Sequence, residues 1–172
     1  MRILDVLLLG AIEGFTEFLP ISSTAHLVLI SQLLRLEETN FLKTFIIFIQ
    51  LGAIFAVVIL FSKRILRDWE TDKKIFIAFL PTALVGLLLY RIIIRFFLES
   101  TVLITGMLFF GGIGLIIFES YYATHFFVRR RLSDISYPEA ALIGLAQAIA
   151  VIPGVSRSAA TIVAGMFMGI DR

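Results

Sequence analysis

Lipid hydrocarbon offers no hydrogen-bond partner to a peptide group, so a chain that enters it must form helices or a closed barrel. This sequence meets that constraint three times. Phe41 to Phe61, Ile75 to Ile94 and Thr101 to Ser120 are each apolar over about 20 residues, the length of helix that crosses a bilayer core. Pro81 and Gly86 in the second stretch, and Gly106, Gly111, Gly112 and Gly114 in the third, are compatible with spanning helices. Neighbouring helices re-satisfy freed backbone groups, and small residues admit close packing. Composition agrees: 59% of the 172 residues are hydrophobic and 16% charged, against about 45–50% and about 25% in a soluble domain. The expected class is all-α, a polytopic integral membrane protein with residues 1–172 forming a single membrane domain.

Charge narrows the reading further. The net charge is +2 and the basic residues fall in loops, so no face is built for nucleic acid. There is no cysteine, which excludes disulfides, thiolate chemistry and cysteine-held metals. The first apolar stretch is interrupted by Glu13 and Glu17 and lacks a small-residue cleavage site, unlike a cleaved signal peptide. Lys63, Arg64, Arg67, Lys73 and Lys74 lie in one loop, and Arg129, Arg130 and Arg131 in another two crossings later. The positive-inside rule places both loops in the cytoplasm and residues near Leu36 outside. Arg91 and Arg95 would snorkel to headgroups.

Two further regions, Ile3 to Leu34 and Pro138 to Met168, are long enough for one span each, yet each is broken midway by proline and hydroxyl residues. The preferred reading is a re-entrant pair of half-helices in each, with a single kinked helix as the alternative. Gly10-Ala11-Ile12-Glu13 leading to Leu19-Pro20 and Ser22-Ser23 resembles Gly144-Leu145-Ala146-Gln147 leading to Ile152-Pro153 and Ser156. Similar segments entering from opposite faces mark an inverted-topology repeat, the first about 1–100 and the second beginning at about 101 and running to 172.

The breaks carry the chemistry. Ionisable groups at membrane depth cost on the order of 3 kcal/mol each, so a cluster of them reads as functional. Glu13 and Glu17 are four residues apart and share a helical face, where they can converge on a divalent cation, Mg²⁺ or Ca²⁺, together with substrate phosphate. Pro20 sits where a second half-helix would start, with Ser22 or Ser23 expected to cap it. Ser22, Ser23 and Thr24 followed by His26 exceed what capping needs. At the other break, Pro153-Gly154-Val155-Ser156-Arg157-Ser158 puts hydroxyls and a guanidinium at a helix start, a ready anion site. Arg157 could equally serve as counter-charge to Glu13 or Glu17.

The runs Glu13-Gly-Phe-Thr-Glu-Phe-Leu-Pro-Ile-Ser-Ser-Thr-Ala-His26 and Pro153-Gly-Val-Ser-Arg-Ser-Ala-Ala-Thr161 resemble the two signature motifs of the undecaprenyl-diphosphate phosphatase family, membrane enzymes linked to bacitracin resistance. The likeness extends through Ile49-Gln50-Leu51-Gly52-Ala53-Ile54, Leu80-Pro81, Gly111-Gly112 and Gly144-Leu145-Ala146-Gln147. It departs at Ala159, where the family usually has glycine, and in length, since family members carry further helices that complete the second repeat. The resemblance implies hydrolysis of undecaprenyl diphosphate to the monophosphate and phosphate, in a multi-pass protein of the plasma membrane that recycles the cell-wall lipid carrier.

On that resemblance the catalytic set is Glu17, Ser23, His26 and Arg157, with Glu13 and Glu17 holding the metal or Glu17 acting as base. Ser22, Thr24, Gly154, Ser156, Ser158 and Thr161 would bind the polyprenyl diphosphate. The nucleophile is left open between Ser23, His26 and water, and a homo-oligomer is left open as well. Two other classes compete: a transporter or flippase for an anionic lipid, which needs Arg157 but no nucleophile, and a structural subunit, which leaves the buried charges unexplained.

Overall fold

The fold is described for residues 1–65, 67–92, 100–125 and 130–170 in a computed structural model. The expectations for Arg95 and Arg129 lie outside these residues. Seven α-helices appear among those described: α1 (Ile3–Thr16), α2 (Ser23–Leu33), α3 (Asn40–Ile65), α4 (Trp69–Ile92), α5 (Thr101–His125), α6 (Tyr137–Ala148) and α7 (Arg157–Phe167). Helices α3, α4 and α5 are long and apolar enough to cross a membrane. They cover the three stretches expected from the sequence, except for Ile93 and Ile94 at the end of the second, which lie outside the described residues. Helix α4 runs unbroken through Pro81, whose missing N–H costs one rung of the ladder and not the helix.

The basic loop is much shorter than the sequence suggested. Helix α3 continues to Ile65 and α4 starts at Trp69. Lys63 and Arg64 therefore occupy the last turn of α3, with Glu70 and Asp72 in the first turn of α4. Each charge sits at the helix end whose dipole it complements, so the helices extend through residues that look like loop.

Both broken segments fold back on themselves. At 1.5 Å per residue, α1, α2, α6 and α7 are each about 16–21 Å long, too short for a bilayer core of about 30 Å. Leu9 of α1 and Leu27 of α2 are fully buried in one cluster with Leu42 and Ile46 of α3. Residues that far apart on a single kinked helix could not meet. The ends of each hairpin also return to one place. Arg2 and Asp5, at the start of α1, share a pocket with Arg35 and Glu37, just past α2. In the second hairpin, the Arg130 backbone N–H donates to Gly169 O at 2.7 Å, tying the approach to α6 to the end of α7.

The start of α6 is set by local chemistry. Ser136 Oγ accepts from the Glu139 N–H, Glu139 Oε2 accepts from the Ser136 N–H at 2.7 Å, and proline stands in the first turn. Arg130 then grips Glu139 at 2.6 Å while donating to the carbonyls of Asp134 and Met168.

Helix α6 packs most extensively on α4. A Cβ on Gly144 would come within 2.1 Å of the Ala78 carbonyl oxygen, so only glycine admits this approach. Helix α5 sits against both hairpins. It meets α2 through Gln32 Nε2 donating to Thr101 Oγ1 at 2.7 Å, and α7 through the rings of Phe118 and Phe167, 5.0 Å apart.

Candidate active site

The two bends meet. Ser158 Oγ, at the start of α7, donates to the Leu19 carbonyl in the first bend at 2.7 Å. Around that contact lies a small polar pocket of about 50 Å³. Glu17, Ser22, Ser23 and Thr24 line it from the first bend, and Gly154, Ser156, Arg157 and Ser158 from the second. Positions more than 130 residues apart in sequence thus share one cavity.

Helix α1 delivers the carboxylates. Glu17 is its C-terminal cap, its N–H bonded to the Glu13 carbonyl at 2.9 Å, so the two side chains share a face one turn apart. Glu13 does not line the pocket; it is 2% exposed, and among the described residues neither of its carboxylate oxygens has a hydrogen-bond partner. A buried acid without partners is costly and marks a place where a proton or a cation is expected. Glu17 is half-buried, and its Oε2 accepts a hydrogen bond from Ser23 Oγ.

Ser22 departs from the capping expectation. It precedes α2 but adopts φ +62°, in the left-handed region, and its side chain caps nothing. That conformation is unusual for a residue bearing a Cβ and is a form of strain found at functional turns. Its carbonyl instead accepts from the His26 N–H at 3.3 Å and bonds His26 Nδ1 at 2.9 Å. Because a carbonyl only accepts, Nδ1 carries the hydrogen and Nε2 is left as the free ring nitrogen. His26 does not line the polar pocket. It lines the adjoining apolar groove of about 760 Å³, together with Ile21, Gly112, Leu115 and Val163. Pocket and groove share Gly154, Val155 and Ser156, so the polar site and the apolar groove lie side by side.

The second bend behaves as a helix start should. Ser156 Oγ accepts from the Ala159 N–H at 3.1 Å and lies 2.9 Å from Ser158 Oγ. Gly154 has φ +96°, and a Cβ there would sit 2.6 Å from the Ile104 carbonyl oxygen of α5, so both conformation and space demand glycine. Arg157, the first residue of α7, is exposed and lines the pocket. Among the described residues it forms no ion pair with Glu13 or Glu17, which leaves its guanidinium open to an anion. Thr161 is not brought to this site. Its hydroxyl bonds the Arg157 and Ser158 carbonyls of its own helix, and it borders a separate groove with Leu132 and Ile143.

One polar residue of the pocket lining was not singled out in the sequence as a site residue. Gln50 of α3 reaches the same cavity and donates from Nε2 to Thr24 Oγ1 at 3.2 Å. The available signal was its isolation, as the one polar side chain between Thr44 and Ser62 of a spanning helix.

A family model described as "Bacitracin resistance protein BacA" matches residues 6–172. Proteins named undecaprenyl-diphosphatase are similar over the whole chain. The one from Aquifex aeolicus is 45% identical over 168 residues, covering 98% of this chain and 65% of that protein. That from Sulfurihydrogenibium sp. is 45% identical over 172 residues, covering 100% and 67%. The protein from Bdellovibrio bacteriovorus is 40% identical over 172 residues, covering 100% and 65%. The chain thus spans about two thirds of the length of these relatives.

Proposed function

The chain belongs to the bacitracin resistance protein BacA family, and we propose that it is a multi-pass plasma-membrane phosphatase that hydrolyses undecaprenyl diphosphate to undecaprenyl phosphate and phosphate. The observation that carries this reading is the pairing of a small polar pocket, holding Glu17, Ser23 and Arg157, with a large apolar groove beside it. A lipid diphosphate has the same two parts. The head matches the pocket's hydroxyls and guanidinium, and the isoprenoid tail matches the groove. Relatives bearing the undecaprenyl-diphosphatase name over the whole chain support the same substrate.

The residues supply a mechanism. Ser23 Oγ–H points at Glu17 Oε2, so Glu17 is placed to take the hydroxyl proton as Oγ attacks the terminal phosphorus. The bond from that phosphorus to the bridging oxygen breaks, and prenyl monophosphate leaves. Arg157 and the N-terminal end of α7 face the phosphoryl oxygens as charge redistributes over them. His26, on the groove side with Nδ1 held by the Ser22 carbonyl, can donate to the departing prenyl phosphate from Nε2 when that nitrogen is protonated. Water then releases phosphate from the serine, with Glu17 as base again.

Glu13 and Glu17 fit a divalent cation. The unpartnered Glu13 oxygens provide hard donors, and Mg²⁺ characteristically binds through one or two carboxylates plus substrate phosphate. Such an ion would neutralise charge on the diphosphate.

The test is phosphate release from the detergent-solubilised protein supplied with a prenyl diphosphate, with and without chelator. Release that Ser23→Ala abolishes, with fold and diphosphate binding retained, is expected. Bound substrate with no phosphate released, but with movement between leaflets in vesicles, would instead make the protein a flippase. Near-normal turnover in Ser23→Ala would move the nucleophile to His26 or water, and unchanged activity in EDTA would remove the cation.

A further inference from the structure

The pocket residues given a role in the reaction come from the two bends, yet Gln50 of α3 also lines the cavity. We infer that Gln50 is a third contact for the diphosphate head, an inference that rests on the phosphatase reading of this pocket. Three observations carry it. The first is cost: Gln50 interrupts the apolar stretch of α3 at membrane depth, where a polar side chain is retained for a partner.

The second is position. The side chain lines the cavity that holds Glu17, Ser23 and Arg157, and it stands on an element anchored independently of both bends. Leu42 and Ile46 fix α3 against Leu9 and Leu27 of the first hairpin.

The third is unused hydrogen-bonding capacity. An amide nitrogen has two hydrogens, and Thr24 Oγ1 takes one. Thr24 accepts in that bond, which frees its own hydroxyl hydrogen. The Gln50–Thr24 pair therefore offers two donors to the pocket, one N–H and one O–H. They are neutral, which suits a wall near Glu17, where a lysine or arginine side chain would pair with the carboxylate. Glue between α3 and α2 would need only the Thr24 contact. A donor left over beside an anion site would bind phosphate oxygen.

The experiment measures steady-state phosphate release and thermal unfolding for Gln50→Leu, Gln50→Glu, Thr24→Val and the Gln50→Leu/Thr24→Val double variant. Gln50→Leu should raise KM for the prenyl diphosphate about tenfold while changing kcat less. Gln50→Glu, which exchanges donors for a negative charge of nearly the same shape, should raise it further. The double variant should lose more than either single change, because each donor reaches the substrate by itself. An unchanged KM in Gln50→Leu and Gln50→Glu, with only a lowered Tm, would overturn the inference and leave Gln50 as helix glue. A double variant no worse than the poorer single one would also overturn it, reducing Gln50 to a positioning residue for Thr24. If Gln50→Leu fails to fold, the nearly isosteric Gln50→Glu still decides between these outcomes. A wild-type protein that releases no phosphate defeats the phosphatase reading instead, an outcome distinct from any of these.

Discussion

Arg157 separates clamp from counter-charge more sharply than any other side chain in the pocket. Its guanidinium lines the cavity and forms no ion pair among the described residues, so its charge is available to substrate. A guanidinium holds two phosphate oxygens in one plane, whereas lysine offers a single compact charge. Arg157→Lys should therefore lose one charge-assisted hydrogen bond, roughly 1.5–3 kcal/mol, and slow turnover about ten- to a hundredfold with the fold intact. Wild-type catalysis in the lysine variant would defeat the clamp. Residues such as Arg157, Glu13 and Glu17 are legible in sequence because a charge inside an apolar stretch has no cheap explanation. Ser22 and Thr161 are not, and Gln50 shows only its isolation in α3. Left-handed geometry at Ser22, a hydroxyl folded back on its own helix at Thr161 and the reach of Gln50 across to α2 are all products of tertiary placement. A hydroxyl near a helix start looks the same in sequence whether it caps, binds or does neither.

Among the helices, the second hairpin is held shut chemically as well as by packing. Arg130 bonds Glu139, and Glu139 also accepts from the backbone N–H of Ser136. The Arg130 hydrogen bond first, and the Ser136 N–H second, pull the Glu139 carboxyl from the usual 4.5 down to about 2. A carboxyl whose folded pKa is depressed contributes stability above its unfolded pKa and loses it on protonation. The clamp should hold at constant strength above about pH 5 and weaken as pH falls from there toward 2. Thermal unfolding in detergent should show that loss in the wild type, and Glu139→Gln should flatten the profile over the same window. An identical acid profile in both proteins would remove Glu139 from the clamp. The capping signal at Ser136 and Glu139 is legible four residues at a time, because a capping box is local chemistry. Arg130 joining it is not, since that bond depends on the chain returning from α7.

The whole molecule can be tested for which way each hairpin faces. In the proposed topology α3, α4 and α5 each cross the membrane, which would put the loop before α3 and the loop after α5 on opposite faces. The start of α1 shares a pocket with residues just past α2, and Arg130 bonds Gly169 beyond α7. The proposed topology therefore has each hairpin begin and end on one face, the first opposite to the second, with the bends meeting between. The bend residues could be paired in sequence by their similar motifs, but their contact through Ser158 and Leu19 could not, because it depends on how α5 seats both hairpins. The sequence contains no cysteine, so single introduced thiols report without background. Arg2→Cys and Glu38→Cys should react with a membrane-impermeant maleimide added to intact cells. Arg131→Cys should react only after the membrane is opened, since the basic loops belong on the cytoplasmic side. Arg2 and Glu38 labelling from opposite faces would mean that the first segment crosses the membrane once, and the site would lose its meeting point at mid-depth. Labelling of Arg131→Cys in intact cells would invert the whole arrangement and turn the polar pocket's approach toward the other leaflet.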